Sequence, residues 1–383
     1  LKKEFGNPYF GGLIYSSGSR GVIDYFTPLR IAGAQARQLL MMAAAEHWQV
    51  PLSELTTKPG LVDHSASGQQ LSYGEIATFA KAPEILPEIT QAELRGQKDF
   101  RLIGHDTPRV DVPSKVNGAA EFAMDVQVPG MVYAAILHAP AEGESPVNIN
   151  KAEALKVPGV QQVLALDNAV AVIGATVEAT HSGKKLLEVE WTGEAAARSW
   201  DSDKTLGEYS AAANDLSHSG TPWRIEGEFD TAFDSADRQI TSEYLCDYVY
   251  HAQMEPLNAT AFVNAAGDRA EIWCGTQAQS LTIMAVASVL DTTTDRIKLN
   301  QLLLGGGFGR RAELEPTYVI EAVQLSRQIG KPVKVIWSRE DDLRNGWFRP
   351  ATAQLMRAGV NEQGQVVAWS HRMAGPSVLQ FYN

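Results

Sequence analysis

Leu302-Leu303-Leu304-Gly305-Gly306-Gly307-Phe308-Gly309-Arg310-Arg311 is the stretch richest in residues that could do chemistry. An apolar run stops in three glycines, an aromatic, a fourth glycine and two arginines. Glycines permit positive φ and leave main-chain N–H groups uncovered, so such a turn offers donors to an acceptor or an anion. The arginines suit the same partner. The plain alternative is a tight strand-to-helix turn with solvated arginines. Two nucleotide motifs are excluded. A phosphate loop would end in Gly-Lys-Ser/Thr, and a dinucleotide fingerprint would place glycine where Arg310 stands.

Three more groups keep company with the turn. His251-Ala252-Gln253-Met254-Glu255-Pro256-Leu257-Asn258-Ala259 brings a carboxylate, Trp273-Cys274-Gly275-Thr276-Gln277 an amide, and Arg349-Pro350 a cation. Singly, Glu255 reads as a solvated carboxylate, Gln277 as a helix-start amide and Arg349 as a surface charge.

The elements that must position these residues follow from periodicity and punctuation. A strand over 297–304 runs into the turn, an amphipathic helix over 313–329 ends at Gly330, and a strand follows over 333–337. That arrangement puts the turn at a helix N-terminus, where anions are favoured. Upstream, strands are expected over 225–229, 240–249, 259–263 and 270–273, with a helix over 280–290. Downstream, Ser338 and Asp341 cap a short helix, and a hairpin turns near 361–364. Between 109 and 191 the pattern gives a turn at Asn117-Gly118, strands over 131–137 and 160–166, and helices over 151–156 and 178–187. Nearer the start, residues 1–27 read as loop with short strand, and Pro28 opens a helix that runs to Trp48. A strand follows near 61–63. Ser72-Tyr73-Gly74-Glu75 is a capping box before a short helix to Ala80. Residues 81–104 read as a linker, and 199–220 as a polar connection with one helix. The fold class is α+β.

The 383 residues suffice for two or three cores, and 44% hydrophobic with 20% charged is ordinary globular composition. A net charge of −12 opposes nucleic acid and anionic membrane surfaces as partners. Cys246 and Cys274 are too few for a disulfide framework or a metal cluster and read as small core residues. His105, His138 and His181 are too widely spaced for a metal site. No apolar run reaches membrane-spanning length. The chain opens Leu1-Lys2-Lys3-Glu4 and closes Phe381-Tyr382-Asn383, so the expectation is a piece of a longer chain with partners missing at both ends.

The order of the motifs resembles the molybdenum-binding large subunits of the xanthine oxidase family. The likeness is to the isoquinoline 1-oxidoreductase and membrane-associated aldehyde dehydrogenase type. Pro108-Arg109-Val110-Asp111-Val112-Pro113-Ser114-Lys115-Val116-Asn117-Gly118, with Pro129-Gly130-Met131-Val132-Tyr133, resembles the opening of that family's hammerhead α/β domain. Gly18-Ser19-Arg20 and the capping-box element resemble part of its second cofactor-binding domain. The resemblance implies three divisions: 1–104, part of the second molybdenum-cofactor-binding domain plus linker; 105–198, the hammerhead; 199–383, the first cofactor-binding domain, incomplete at its C-terminus.

It further implies molybdopterin cytosine dinucleotide with molybdenum as cofactor. Gln277 would meet an oxo ligand, and the backbone of Gly306, Gly307, Phe308 and Gly309 would pack on the same centre. Arg310 and Gly18, Ser19 and Arg20 would attend the phosphates, while Glu255 and Arg349 would line the substrate pocket. No residue is implied as a direct metal ligand. Purine-oxidising members carry a glutamate where Ala312 stands, which turns the expectation towards an aldehyde or N-heteroaromatic substrate hydroxylated with oxygen from water. The general base lies beyond this chain, in the remainder of its own large subunit, so the chain alone is expected to be inert. Electrons would leave through an iron–sulfur small subunit carrying [2Fe-2S] clusters, with a c-type cytochrome as a candidate further partner. A periplasmic or inner-membrane-associated location is favoured by resemblance alone. The competing readings are a scaffold that keeps the fold without cofactor and an unrelated nicotinamide dehydrogenase, which the missing fingerprint disfavours.

Overall fold

The computed structural model describes residues 6–377, so the two terminal stretches behind the expectation of a longer chain lie outside the described residues. Two compact units, Leu1–Ala120 and Glu121–Asn383, divide the chain.

In the first unit, helix α1 spans Arg20–Trp48 and contains Pro28 in its interior instead of beginning there. Arg20 and Asp24, one helical turn apart, join through contacts of 2.5 and 3.1 Å and support the early turns, while Pro28 removes one internal donor without ending the helix. An antiparallel meander follows: β1 (Thr56–Lys58), β2 (Leu61–His64) and β3 (Gln69–Ser72). The expected capping box starts α2 (Tyr73–Ala77): Ser72 Oγ accepts from Glu75 N–H at 3.1 Å, and Glu75 accepts from Ser72 N–H at 2.8 Å. Ala44, Ala45, Leu55, Val62 and Ile76 close the small core. No α-helix or strand occurs over 81–104.

The second unit is built on a seven-stranded mixed sheet. Its strands are β4 (Val132–His138), β5 (Val160–Ala165), β6 (Ala169–Gly174), β9 (Asn258–Val263), β10 (Ala270–Cys274), β11 (Ile297–Gln301) and β12 (Val333–Ile336), in the order β11-β10-β9-β12-β4-β6-β5. Between β6 and β9 the chain forms α3 (Val177–Lys184), α4 (Ser202–Asn214), α5 (Phe229–Asp234), β7 (Arg238–Cys246) and β8 (Val249–Tyr250). Helices α6 (Gln279–Val289) and α7 (Thr317–Ile329) cover one face of the sheet. Their Val286, Ala287, Tyr318, Val319 and Val323 pack with Ile136, Ala171, Ile173, Ala259 and Ile272. β6 is buried on both faces. Its Val170 and Val172 point the other way, into a second cluster with Ala154 and Val163. A continuous run of small and β-branched residues marks such a strand, but periodicity alone does not separate it from a buried helix, and the expected pattern omitted it.

Parallel pairing of β12 with β4 joins the segments expected as separate domains, 105–198 and 199–383, in one sheet. Compactness instead divides the chain after Ala120. Strands Pro146–Asn150 and Glu188–Trp191 form a separate antiparallel pair, and beyond β12 come α8 (Arg339–Asn345), β13 (Phe348–Arg349), β14 (Thr352–Val360) and β15 (Val366–Ala374). β13 pairs with β8, and β14 lies between β15 and β7 in a three-stranded sheet. The capping box at Ser338 and the hairpin near 361–364 form as expected.

Three further expectations fail. The strand over 225–229 is absent: Ile225 is 76% exposed, the segment joins no strand, and α5 begins at Phe229. The helix over 151–156 is a single 3-10 turn, Ala154–Lys156. Helix α7 starts at Thr317, after Pro316, so the glycine turn does not sit at its N-terminus and gains no donors from it.

Because both segments feed one core, Ile136→Ala should lower the stability of the whole second unit by about 2–5 kcal/mol. Urea unfolding followed by fluorescence and by circular dichroism should shift together; separate transitions for the two segments would contradict a shared core.

Candidate active site

A buried carboxylate fixes the glycine turn. Glu255, three residues before Asn258 opens β9, is 8% exposed. Its Oε2 accepts from Gly305 N–H at 2.9 Å and Arg311 Nη2 at 3.0 Å, and its Oε1 from Met124 N–H at 3.0 Å and Asn258 Nδ2 at 3.1 Å. Glu255 N–H donates in turn to Gly305 O at 2.9 Å. A Cβ on Gly305 would stand 2.3 Å from Glu255 Cβ, so this contact demands glycine. Glu255 is thus corrected from substrate-pocket residue to clamp, since four donors already engage its two oxygens.

Arg311 is buried and ties three segments together. Nη1 donates to Gly275 O at 3.1 Å and Nη2 to Glu255 O at 2.9 Å, while Arg311 O accepts from Gln277 N–H at 2.8 Å and Thr276 Oγ1 at 3.2 Å. The expected partners, Gln277 and the turn, therefore meet. Gln277 Oε1 accepts from Gly309 N–H at 3.0 Å, and a Cβ on Gly307 would stand 2.4 Å from the same oxygen. Gly306 and Gly309 take φ of 103° and 105°; Phe308 takes 53° and is 74% exposed.

Arg310 is corrected too. It is 1% exposed and ion-paired with Glu313, its guanidinium 5.9 Å from the Trp337 ring centre, and burial pushes its pKa down. It faces inward, away from any solvent-borne phosphate. Gly18, Ser19 and Arg20 belong to the first unit, where Arg20 is engaged by Asp24 and lies 4.3 Å over the Tyr9 ring. Arg349 is exposed on β13, which pairs with β8 immediately before His251.

Sequence reasoning missed the supports. Met124 gives its N–H to Glu255, and Lys334, 1% exposed on β12, donates to Met124 O and, at 2.9 Å, to Val126 O. Asp342, fully buried, accepts from Leu257 N–H at 3.3 Å, Gln253 Nε2 at 3.2 Å and Arg339 Nη1 at 3.0 Å; burial raises its pKa against these contacts. Only Arg311 carried a signal, the doubled arginine after the turn. Cys274 is a core residue, its thiol pushed up to about 12 by burial. Among the described residues no cluster of three or more His, Cys, Asp or Glu could hold a metal ion, and no helix is long and apolar enough to cross a membrane.

Residues 212–376 match the molybdopterin cofactor-binding domain family. The whole chain is 37% identical to the isoquinoline 1-oxidoreductase β subunit of Brevundimonas diminuta, covering 54% of that protein. This chain carries a molybdopterin cofactor-binding domain and is related along its whole length to that β subunit. Over 95% of its length it is 31% identical to the membrane-bound aldehyde dehydrogenase (pyrroloquinoline-quinone) of Gluconacetobacter polyoxogenes, covering 48% of that relative. It spans about half the length of the curated relatives it matches. Quinoline 2-oxidoreductase from Pseudomonas putida 86 shares the fold at a TM-score of 0.55 and 21% identity, over 70% of this chain and 39% of that one. The α+β class with mixed sheets agrees with that likeness.

Two glycine substitutions in the turn should behave differently. Gly305→Ala drives a methyl into the Glu255 stem and should unfold the unit at markedly lower urea. Gly307→Ala meets only the movable end of Gln277 and should displace the amide at a cost of about 1 kcal/mol or less. Urea midpoints separate the two; equal midpoints would contradict the clamp.

Proposed function

We propose that this chain forms the cofactor-facing part of a molybdenum hydroxylase large subunit that oxidises an aldehyde or N-heteroaromatic substrate with oxygen from water. The observation that carries the proposal is the convergence of Gln277 Oε1 on Gly309 N–H at 3.0 Å, in a turn clamped by Glu255. The named relatives, an isoquinoline oxidoreductase subunit and an aldehyde dehydrogenase, support the substrate classes.

The residues fit a molybdopterin group. Gly309 N–H faces an acceptor oxygen, that of Gln277, which supports this reading, and Glu255 and Glu313 are each tied to an arginine, which leaves neither carboxylate to repel an anionic cofactor. Gln277 and the backbone of Gly306, Gly307, Phe308 and Gly309 would hold it. When bound, the cofactor supplies oxygen-transfer and two-electron chemistry. The turn's part is to keep donors fixed where an oxygen needs them, with no reorganisation during reaction.

The proposed form of the cofactor is the cytosine dinucleotide, with Gly18, Ser19 and Arg20 as candidate phosphate contacts. The general base is assigned to the remainder of the subunit, electron exit to an iron–sulfur partner with [2Fe-2S] clusters, and a c-type cytochrome is a candidate acceptor. The division into 1–104, 105–198 and 199–383 is kept as a proposal about domain ancestry; the family match at 212–376 falls within the last part.

Enzyme purified from its source with its companions should contain about one molybdenum, and release about one CMP on acid hydrolysis, per large subunit. Gln277→Ala should lower turnover on the order of 10²-fold or more, as loss of one preorganised contact does elsewhere. A stable protein with neither molybdenum nor CMP would make the chain a scaffold.

A further inference from the structure

The first unit holds a cavity of its own, between helix α1 and the irregular stretch 93–103, with a volume of about 320 Å³ and mostly apolar walls. No α-helix or strand organises that stretch, so side-chain contacts must tie it to the helix. Arg30 supplies most of them. Its Nη2 donates to Arg95 O at 2.6 Å, and its guanidinium lies 4.8 Å over the Phe26 ring and 5.3 Å over the Phe100 ring. The two rings meet edge-on at 6.4 Å, and Gln35 Nε2 adds a bond of 2.9 Å to Pro87 O.

Four arginines line the space: Arg30, Arg37, Arg95 and Arg101. Glu93 and Asp99 line it with them, so the formal balance is four positive charges against two negative, or +2, in a chain whose total is −12. Among the described residues no ion pair joins any of the four arginines to a carboxylate. Glu93 is engaged elsewhere. Thr90 Oγ1 and N–H donate to its Oε2 at 2.7 and 2.8 Å, and these bonds hold its carboxyl below the usual range. Arg37 Nε is shut away from solvent and has no hydrogen-bond partner among the described residues. A buried donor without an acceptor is costly, and like charges gathered without partners repel. Both features are relieved by an anion in the cavity.

We propose that this cavity binds a small carboxylate with a flat apolar body, the arginines receiving the carboxylate and the apolar walls the body. Guanidinium groups meet a carboxylate through paired N–H donors and lie against aromatic faces, so the same side chains suit both ends of such a ligand. The volume stands at the lower end of small-molecule sites, about 300–1,000 Å³, which fits one or two fused rings better than a nucleotide. The inference goes beyond the proposed reaction and does not depend on it, although oxidation of an aromatic aldehyde yields an acid of this class.

Three probes test it by calorimetric titration of the 383-residue chain and of the complete enzyme: 2-naphthoate, its uncharged analogue 2-naphthamide, and inorganic phosphate. 2-Naphthoate should bind both proteins on the order of tenfold or more tightly than either other probe, the scale of one charge-assisted contact. Its affinity should fall as salt is raised. Arg101→Gln, at an exposed position, should weaken it several-fold, and Arg37→Gln on the order of tenfold. With 2-naphthoate bound, amide hydrogen exchange should slow over 93–103 and not over 305–311, which separates this cavity from the glycine turn.

Equal affinity for the acid and the amide, or no binding of either, would overturn the proposal by removing the arginines' part. Phosphate bound as tightly as 2-naphthoate would overturn it by removing that of the apolar walls. Affinity unchanged in both arginine variants would do the same. So would binding by the chain but not by the complete enzyme, which would make the cavity a seat for another part of the protein. None of these measurements needs molybdenum or turnover, so each stands whatever becomes of the proposed reaction.

Discussion

A carboxylate removed from water is tolerable only when donors meet its oxygens, and the second unit is arranged around satisfying the one on Glu255. The four donors come from places far apart in sequence: Met124, Asn258, Gly305 and Arg311. Each is thereby fixed relative to the others. Glu255 leads into β9, a strand inside the seven-stranded sheet, so the turn inherits its position from the most rigid part of the unit. Lys334 extends the same logic, since an ammonium buried on β12 can stay there only by finding carbonyls, and it finds those of Met124 and Val126. The segment from Met124 to Val126, the sheet and the turn form one hydrogen-bonded body.

That rigidity explains the backbone of the turn. A phenylalanine at φ 53° costs on the order of 1–2 kcal/mol relative to an ordinary conformation and persists only where its surroundings over-determine it. Gly305 is pinned on one side by Glu255, Gly309 on the other by Gln277, and Arg310 N–H closes onto Gly307 O at 2.8 Å. Phe308 has no freedom left. Its exposed ring and the donors around it are held out because the residues on either side are held in.

Much of this was legible in the sequence, in a characteristic way. Local signals survived: both capping boxes, the Gly330 helix end, the closing hairpin and the strand leading to the turn all depend on neighbours within a few residues. Signals that needed a partner elsewhere did not survive. Glu255 looks the same in the sequence whether it faces a substrate or a backbone amide, and only Gly305 decides which. Strand 225–229 had no strand to pair with, whereas β6, unmarked by alternation, is paired on both edges with β4 and β5 and buried on its two faces by separate clusters. The start of α7 was misplaced for a related reason, because Glu313 is occupied with Arg310 and Pro316 cannot join the ladder before it. Family resemblance pointed to these loops, and the structure gives Glu255 and Arg310 partners within the protein that the sequence did not reveal.

The arginines carry that lesson furthest. Arg310 and Arg311 sit next to each other and look like a single basic patch, yet successive residues of a tight turn point apart, and each is drawn to its own buried carboxylate. Burying a guanidinium is tolerable only with a partner, so the more completely the turn is folded, the less of its apparent positive charge reaches solvent. Glu313 and Glu255 are therefore conditions for the turn to close, and they cancel the feature that made the turn conspicuous.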